Sequence, residues 1–281
     1  MQPSSGNTRH KRRFHPLLVL LLAVIPGTPL AAHEFWIEPM TYRLDPGDRL
    51  EAHVVNGENF KGPKVPYAPR HFIRFEQVSG ERSRPVRGRP GQTPALRERP
   101  LDEGLLILVY TSRPDRADYA TFEELLAFAE HKDFAGFEKR HRARDLPTTE
   151  IGEVYTRYAK SLVAVGTGSG EDRHLDLETE LVALANPYTD ELGDTLPVKA
   201  FYAGSPRPNA RVELFEKAPD GRVSVTRHRT DASGVAHLPV KPGHAYLADA
   251  VVLREPGPEL ARSHDAAWET LWASLTFSVP E

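Results

Sequence analysis

Apolar positions along the chain fall into short runs separated by turn residues, not into long helical stripes. Leu50-Glu51-Ala52-His53-Val54-Val55 alternates between apolar and polar residues and lies between Gly47-Asp48 and Asn56-Gly57. That is the pattern of a half-buried strand with turns at both ends. Glu34-Phe35-Trp36-Ile37-Glu38 is a shorter strand stopped by Pro39, and His71 to Val78 runs into Ser79-Gly80. Leu105 to Tyr110 is continuously apolar, which suits a strand buried on both faces. The period then changes. Thr121 with Glu124 three residues on fits a capping box, and Phe122, Leu125, Leu126 and Ala129 recur at helical spacing. Phe134 and Phe137 extend the stripe toward Arg144, and Pro147 closes it, so one broken helix or two short ones are expected over about 118–145. Tyr155 to Val165 returns to strand composition, and Gly166-Thr167-Gly168-Ser169-Gly170 reads as a flexible linker.

Beyond Leu175 short strands resume: Leu177–Leu184, Leu196–Tyr202, Arg211–Lys217, Val223–Thr230, Val235–Val240, Tyr246–Leu253 and Ser274–Val279. Turns at Pro219-Asp220-Gly221, Ser233-Gly234, Pro242-Gly243 and Pro256-Gly257 separate them. About seven short strands in ~100 residues describe an immunoglobulin-like β-sandwich. The pattern therefore predicts a mainly β protein of two tandem immunoglobulin-like β-sandwich domains. The first spans 33–170 with the helical segment in it, and the second spans 171–281. A faint internal repeat agrees. Pro39, Gly47-Asp48, Leu50 and Gly57 are echoed by Pro187, Gly193-Asp194, Leu196 and Gly204.

The first 32 residues read differently. Arg9, Lys11, Arg12 and Arg13 precede the apolar run Leu17 to Ile25, which Pro26, Gly27 and Pro29 break before Leu30-Ala31-Ala32. This is the layout of a secretory signal peptide, and the run is shorter than the ~20 residues that span a bilayer. Cleavage is expected after Ala32, which makes His33 the first residue of the exported chain. Losing four cations and no acid moves the net charge from −3 to −7. A periplasmic location is expected.

Composition narrows the chemistry. The 281 residues include no cysteine, which excludes disulfides, thiolate metal sites, Fe–S clusters and a cysteine nucleophile. A transition metal would have to use nitrogen and oxygen ligands, or Met40. The 36 basic residues balanced by 39 acidic ones argue against a general polyanion binder such as a nucleic-acid protein. Arg82 to Pro100 holds six arginines and four prolines but no interleaved aromatic residue, so a solvated hairpin loop is expected there.

His33 is the leading candidate ligand. As a first residue it offers an α-amine and an imidazole that close one chelate ring on Cu(II), Ni(II) or Co(II), once the amine has lost its proton. A second histidine is needed, and spacing alone does not choose it: no His-x-His or His-Glu-x-x-His pair exists. His264, beside Asp265 in an expected loop, and His131, in the helical segment, are the candidates. His131 and His141 would lie about 15 Å apart along a continuous helix. Tyr155 to Leu162 mixes aromatic and cationic side chains. It suits an anion or glycan site, or else a strand packing its tyrosines inward with Arg and Lys reaching out. Nucleophile elbows, phosphate loops and Rossmann glycines are absent, so no enzyme is expected.

Several of these segments together resemble the DUF4198 family of secreted bacterial proteins. They are Ala32-His33-Glu34-Phe35-Trp36-Ile37-Glu38-Pro39, Pro46-Gly47-Asp48, Tyr155 to Leu162, Asn186-Pro187-Tyr188, Gly193 to Val198, Thr230 to Gly234 and Trp268 to Phe277. That family is catalogued with periplasmic components of cobalt- and nickel-type ABC uptake systems. The resemblance implies an exported β-sandwich protein that binds Ni, Co or Cu and works with an inner-membrane metal transporter. Of candidate ligands it supports only His33. Where family members carry a His-Met pair near the C-terminus, this chain reads Ala250-Val251-Val252-Leu253. Thr230 to Gly234 also resembles the turn of carboxypeptidase regulatory-like domains. A non-enzymatic envelope or glycan-binding module is the alternative expectation, and copper redox chemistry at His33 is a third.

Overall fold

The computed structural model describes Met1 and residues 33–281; the expected signal peptide and its cleavage site lie outside the described residues. The described chain is mainly β, with three sheets. The largest has ten strands and runs through the whole molecule. Its path is Val223–Arg229, Arg211–Lys217, Ala245–Arg254, Trp268–Ser278, Thr149–Val165, Gly104–Ser112, Phe72–Ser79 and Arg82–Pro85. Arg43–Leu44 and Asp115–Thr121 also pair with Thr149–Val165. One four-stranded sheet is built around Leu50–Gly57 and another around Thr195–Tyr202.

Side-chain alternation explains how the large sheet is covered. On Gly104–Ser112, Leu105, Ile107 and Val109 face a core shared with the Thr195–Tyr202 sheet. Leu106, Leu108 and Tyr110 face a second core under the Leu50–Gly57 sheet. Both faces being dry, the strand has no polar alternation, and this is why it reads as an unbroken apolar run. The echoed Gly-Asp turns introduce equivalent strands: Leu50–Gly57 and Thr195–Tyr202 are each the middle strand of an outer sheet. Gly47 (φ +95°) and Gly193 (φ +57°) supply the left-handed backbone that these turns need.

The helical segment is two short helices, Phe122–His131 and Phe137–Ala143. Thr121 Oγ1 accepts the N–H of Glu124 at 3.3 Å, and Glu124 Oε2 accepts the N–H of Ala120 at 3.0 Å. Phe122, Leu125, Phe128 and Ala129 pack on Val251, Trp268 and Trp272 of the large sheet. The helices thus cover the stretch of that face that the Leu50–Gly57 sheet does not reach.

The halves on either side of residue 170 are joined by strand pairing. Thr149–Val165 lies parallel to Trp268–Ser278, from Glu153 opposite Trp268 to Ser161 opposite Thr276. The Gly166 to Gly170 segment is a pinned turn and not a flexible linker. Ser169 O accepts the N–H of Leu105 at 2.8 Å, and Asn186 Nδ2 donates to the carbonyls of Gly168 and Gly170 at 2.8 and 2.9 Å. Positive φ at Gly166, Gly168 and Gly170 lets the chain double back there. Two further expectations are corrected. The last strand begins at Trp268, not Ser274, and His264 ends the helix Pro258–His264 instead of lying in a loop. Arg82 to Pro100 also departs from the solvated hairpin loop expected: Arg82–Pro85 pairs with Phe72–Ser79 and Leu96–Glu98 with Leu50–Gly57 in another sheet, and Val86, Ala95 and Leu96 are buried in the core under that second sheet. Among the described residues no helix is long and apolar enough to cross a membrane.

Candidate functional site

The strand Glu34–Pro39 fixes His33 in place. Trp36 and Ile37 are fully buried, and every residue from Glu34 to Pro39 is in register with Leu50–Gly57. Just past that partner strand the chain folds into a pinched loop. Glu58 and Lys61 form an isolated bridge, with reciprocal backbone hydrogen bonds of 2.9 and 2.8 Å. Gly57 and Gly62 cross so closely that a Cβ on Gly57 would overlap the Lys61 carbonyl. Phe60 anchors the loop from within, edge-on to Trp36 at 5.9 Å between ring centroids. The result is a rigid platform that holds Glu58 Oε1 3.4 Å from His33 Nε2. The His33 side chain is 19% exposed and Glu58 43%. A pocket of about 260 Å³, lined by these two with Asn56, Lys61 and Pro63, opens beside them. His33 thus has a carboxylate partner where the chain enters its first strand.

Next to it lies a buried ionic cluster that the sequence did not reveal. Lys132, at the C-terminal end of the first helix, directs its ammonium at three carboxylates: Glu213 at 2.6 Å, Asp249 at 3.0 Å and Glu34 at 3.3 Å. All four side chains are at least 95% buried. The three acids also lie within 4.8 Å of one another, as metal ligands would. The lysine ammonium already supplies the cation, so the fit to a metal is poor here. Burial raises the pKa of Glu34 to about 7 against the attraction of Lys132, and Asp249 is also raised by burial. Glu213 behaves oppositely. Burial pushes it up, but hydrogen bonds from His131 and Lys132 outweigh this and hold it below the usual carboxylate range.

The three histidines selected from sequence have separate partners. His33 meets Glu58. His131, half-exposed, sits with Nε2 3.4 Å from Glu213 Oε1, at the edge of the Lys132 cluster. His264 Nδ1 lies 3.0 Å from Ser263 Oγ, and its carbonyl accepts from Arg116. The structure thus ties His33 and His131 to one region through Glu34 and Lys132, their sequence neighbours. His264 belongs to another wall.

That wall borders a cleft of about 640 Å³, lined in part by Arg116. The segment Tyr155 to Leu162 splits between the two faces of its strand. Tyr155 and Arg157 line the cleft, whereas Tyr158 enters the core and Lys160 is buried against Asp172 and Glu180 at 2.7 and 2.8 Å. The parallel register sets Arg157 opposite Trp272. Its guanidinium lies 4.0 Å from the Trp272 ring and 4.9 Å from Tyr155. Beneath it, Trp272 Nε1 donates to Thr270 Oγ1 at 2.9 Å, Thr270 donates to Glu153, and Tyr119 OH donates to Glu153 at 2.7 Å. Burial raises the Glu153 carboxyl and lowers the Arg157 guanidinium pKa. Tyr155 and Arg157 fall in the segment singled out from sequence, whereas Glu153, like Asp249, is an acid buried inside a strand. Such a residue must have a partner, but the sequence does not name it.

A three-sheet, mainly β architecture with an ordered histidine at the start of its first strand is the class the geometry defines. Residues 30–254 match the family described as "Domain of unknown function (DUF4198)", and the chain belongs to that family. The match stops before the helix Pro258–His264 and the last central strand. No curated protein matches the sequence. Among solved structures, the chain is similar to a tetra-tandem repeat in the extending region of a large adhesion protein, at 10% identity and a TM-score of 0.19. The alignment covers 87% of this chain and spans half the length of that one. The D0-D1 domain of intimin matches at 13% identity and a TM-score of 0.20, covering 87% of this chain and 97% of that one. At these scores neither likeness carries an argument about this protein.

Proposed function

We propose that this is a periplasmic, non-enzymatic protein that binds a divalent transition metal (Ni, Co or Cu) as cargo and delivers it to an inner-membrane transporter. The observation that carries this reading is the seating of His33 against Glu58 at the pinned start of the first strand. Cleavage after Ala32 would add the α-amine, giving an amine, an imidazole and a nearby carboxylate. A chelate through the amine and Nδ1 leaves Nε2, the nitrogen that faces Glu58. A carboxylate on the other ring nitrogen orients a ligand histidine and raises its basicity. His131 or His264 would supply a further nitrogen. His131 has the closer link, since its neighbour Lys132 binds Glu34. The finer architectural reading goes with this proposal: two immunoglobulin-like sandwiches, 33–170 and 171–281, whose inner sheets fuse along the parallel strand pair.

Titration with Cu(II), Ni(II) and Co(II) tests the proposal, comparing protein that begins at His33 with a His33→Ala form that begins at the same position. The substitution removes the imidazole, and with it the amine–imidazole chelate, and should weaken binding at least tenfold. Equal affinity of the two forms removes His33 from the site.

A further inference from the structure

Neither His33 nor His131 lines the 640 Å³ cleft, which lies within the ~300–1,000 Å³ typical of sites for small organic ligands. Phe35, Tyr110 and Tyr155 give it an aromatic wall, with Phe35 and Tyr110 packed at 5.1 Å between centroids. Four arginines line it, at 70, 113, 116 and 157, against Asp115 and Asp118, in a chain whose overall charge is negative. The arginines are not equivalent. Arg116 is neutralised by Asp118 at 2.6 Å and Asp265 at 3.3 Å. Arg70 gives its Nε–H to His71 Nε2 at 3.0 Å, and Arg113 stands exposed at the rim. Arg157 is the built part of the site. Only 4% exposed, its guanidinium lies 4.0 Å from the Trp272 ring and 4.9 Å from the Tyr155 ring, with its backbone N–H on Ser112 Oγ at 2.9 Å.

We propose that this cleft binds an acidic saccharide, a uronic-acid sugar whose carboxylate meets the arginines while its ring lies on the Phe35–Tyr110–Tyr155 wall. Planar guanidinium forks suit a carboxylate, and the electron-rich faces of the aromatic rings suit the polarised C–H face of a sugar. The two aspartates decide between anions. They accept hydrogen bonds from sugar hydroxyls, but they repel a phosphate-dense ligand. Asp115, exposed beside the cleft, already accepts from Tyr155 OH at 3.2 Å and from the Arg116 N–H at 2.9 Å, so it faces the cleft as an acceptor.

Calorimetric titration of the full exported chain with tri-galacturonate and with glucuronate tests this, with maltotriose and inorganic phosphate as controls. EDTA is kept present so that a metal cannot bridge ligand to protein, which separates this result from the fate of the metal reading. An Arg70→Ala/Arg113→Ala variant changes two exposed rim residues, so its fold should be intact by circular dichroism. Saturable uronate binding, at least tenfold tighter than maltotriose or phosphate and at least tenfold weaker in the variant, is expected. The proposal is overturned by no saturable binding of either uronate, by equal binding of maltotriose or phosphate, or by undiminished binding in the variant.

Discussion

Burial lifts the titration of Glu34, in the Lys132 cluster, to about neutrality. Burial is the main cause of its rise from 4.5 to about 7, with Lys132 opposing and Asp249 assisting. An acid whose pKa is raised by folding binds its proton more tightly in the folded state. Stability on its account is therefore fully present below about pH 4.5 and is lost as the pH rises through about 7. At about 1.4 kcal/mol per pH unit, that interval amounts to about 3 kcal/mol. Glu34→Gln keeps the shape of the protonated form and removes the titration. Lys132 retains Glu213 and Asp249, so no bare ammonium is left behind. Urea unfolding should find Glu34→Gln close to wild type near pH 5 and more stable by up to about 3 kcal/mol near pH 8. The gain is counterintuitive, because an ion-pair partner has been deleted. A variant less stable than wild type at pH 8, or equal pH slopes for the two proteins, refutes the reasoning.

Other outcomes follow from the same packing. Gly57→Ala forces a Cβ into the Lys61 carbonyl, so the Glu58 platform should open; metal titration should then show weaker binding, and unchanged affinity contradicts the platform's role. Leu106→Ala and Ile107→Ala are neighbours facing opposite cores, and both side chains are essentially inaccessible. Denaturant unfolding should find each costing roughly 2–5 kcal/mol. A negligible loss in either would mean that one face of that strand is not packed.

The strand-rich class and most strand positions were legible because alternation and turn residues are local signals. The unbroken apolar run at Leu105 to Tyr110 pointed to burial on both faces, and two cores meet there. Thr121 and Glu124 marked the helix start because a cap is written within four residues. Non-local relations were not legible. Gly166 to Gly170 has a linker's composition, yet its carbonyls are taken by Asn186 and Leu105, far along the chain. The parallel pairing that sets Arg157 beside Trp272 joins residues more than a hundred positions apart. Lys132 carries no local mark in the sequence, because only the fold collects Glu34, Glu213 and Asp249 around it. Of the site itself, the sequence supplied His33 and the Tyr155–Arg157 segment, whereas Glu58 became visible only through the pinched loop.

The mass of the mature protein recovered from cells that express the full sequence, with sequencing of its first residues, tests the central claim most directly. The account predicts a chain that begins with His33 and continues Glu34-Phe35-Trp36, its α-amine free beside the imidazole. A chain beginning at any other residue contradicts it, because the chelate exists only if His33 comes first.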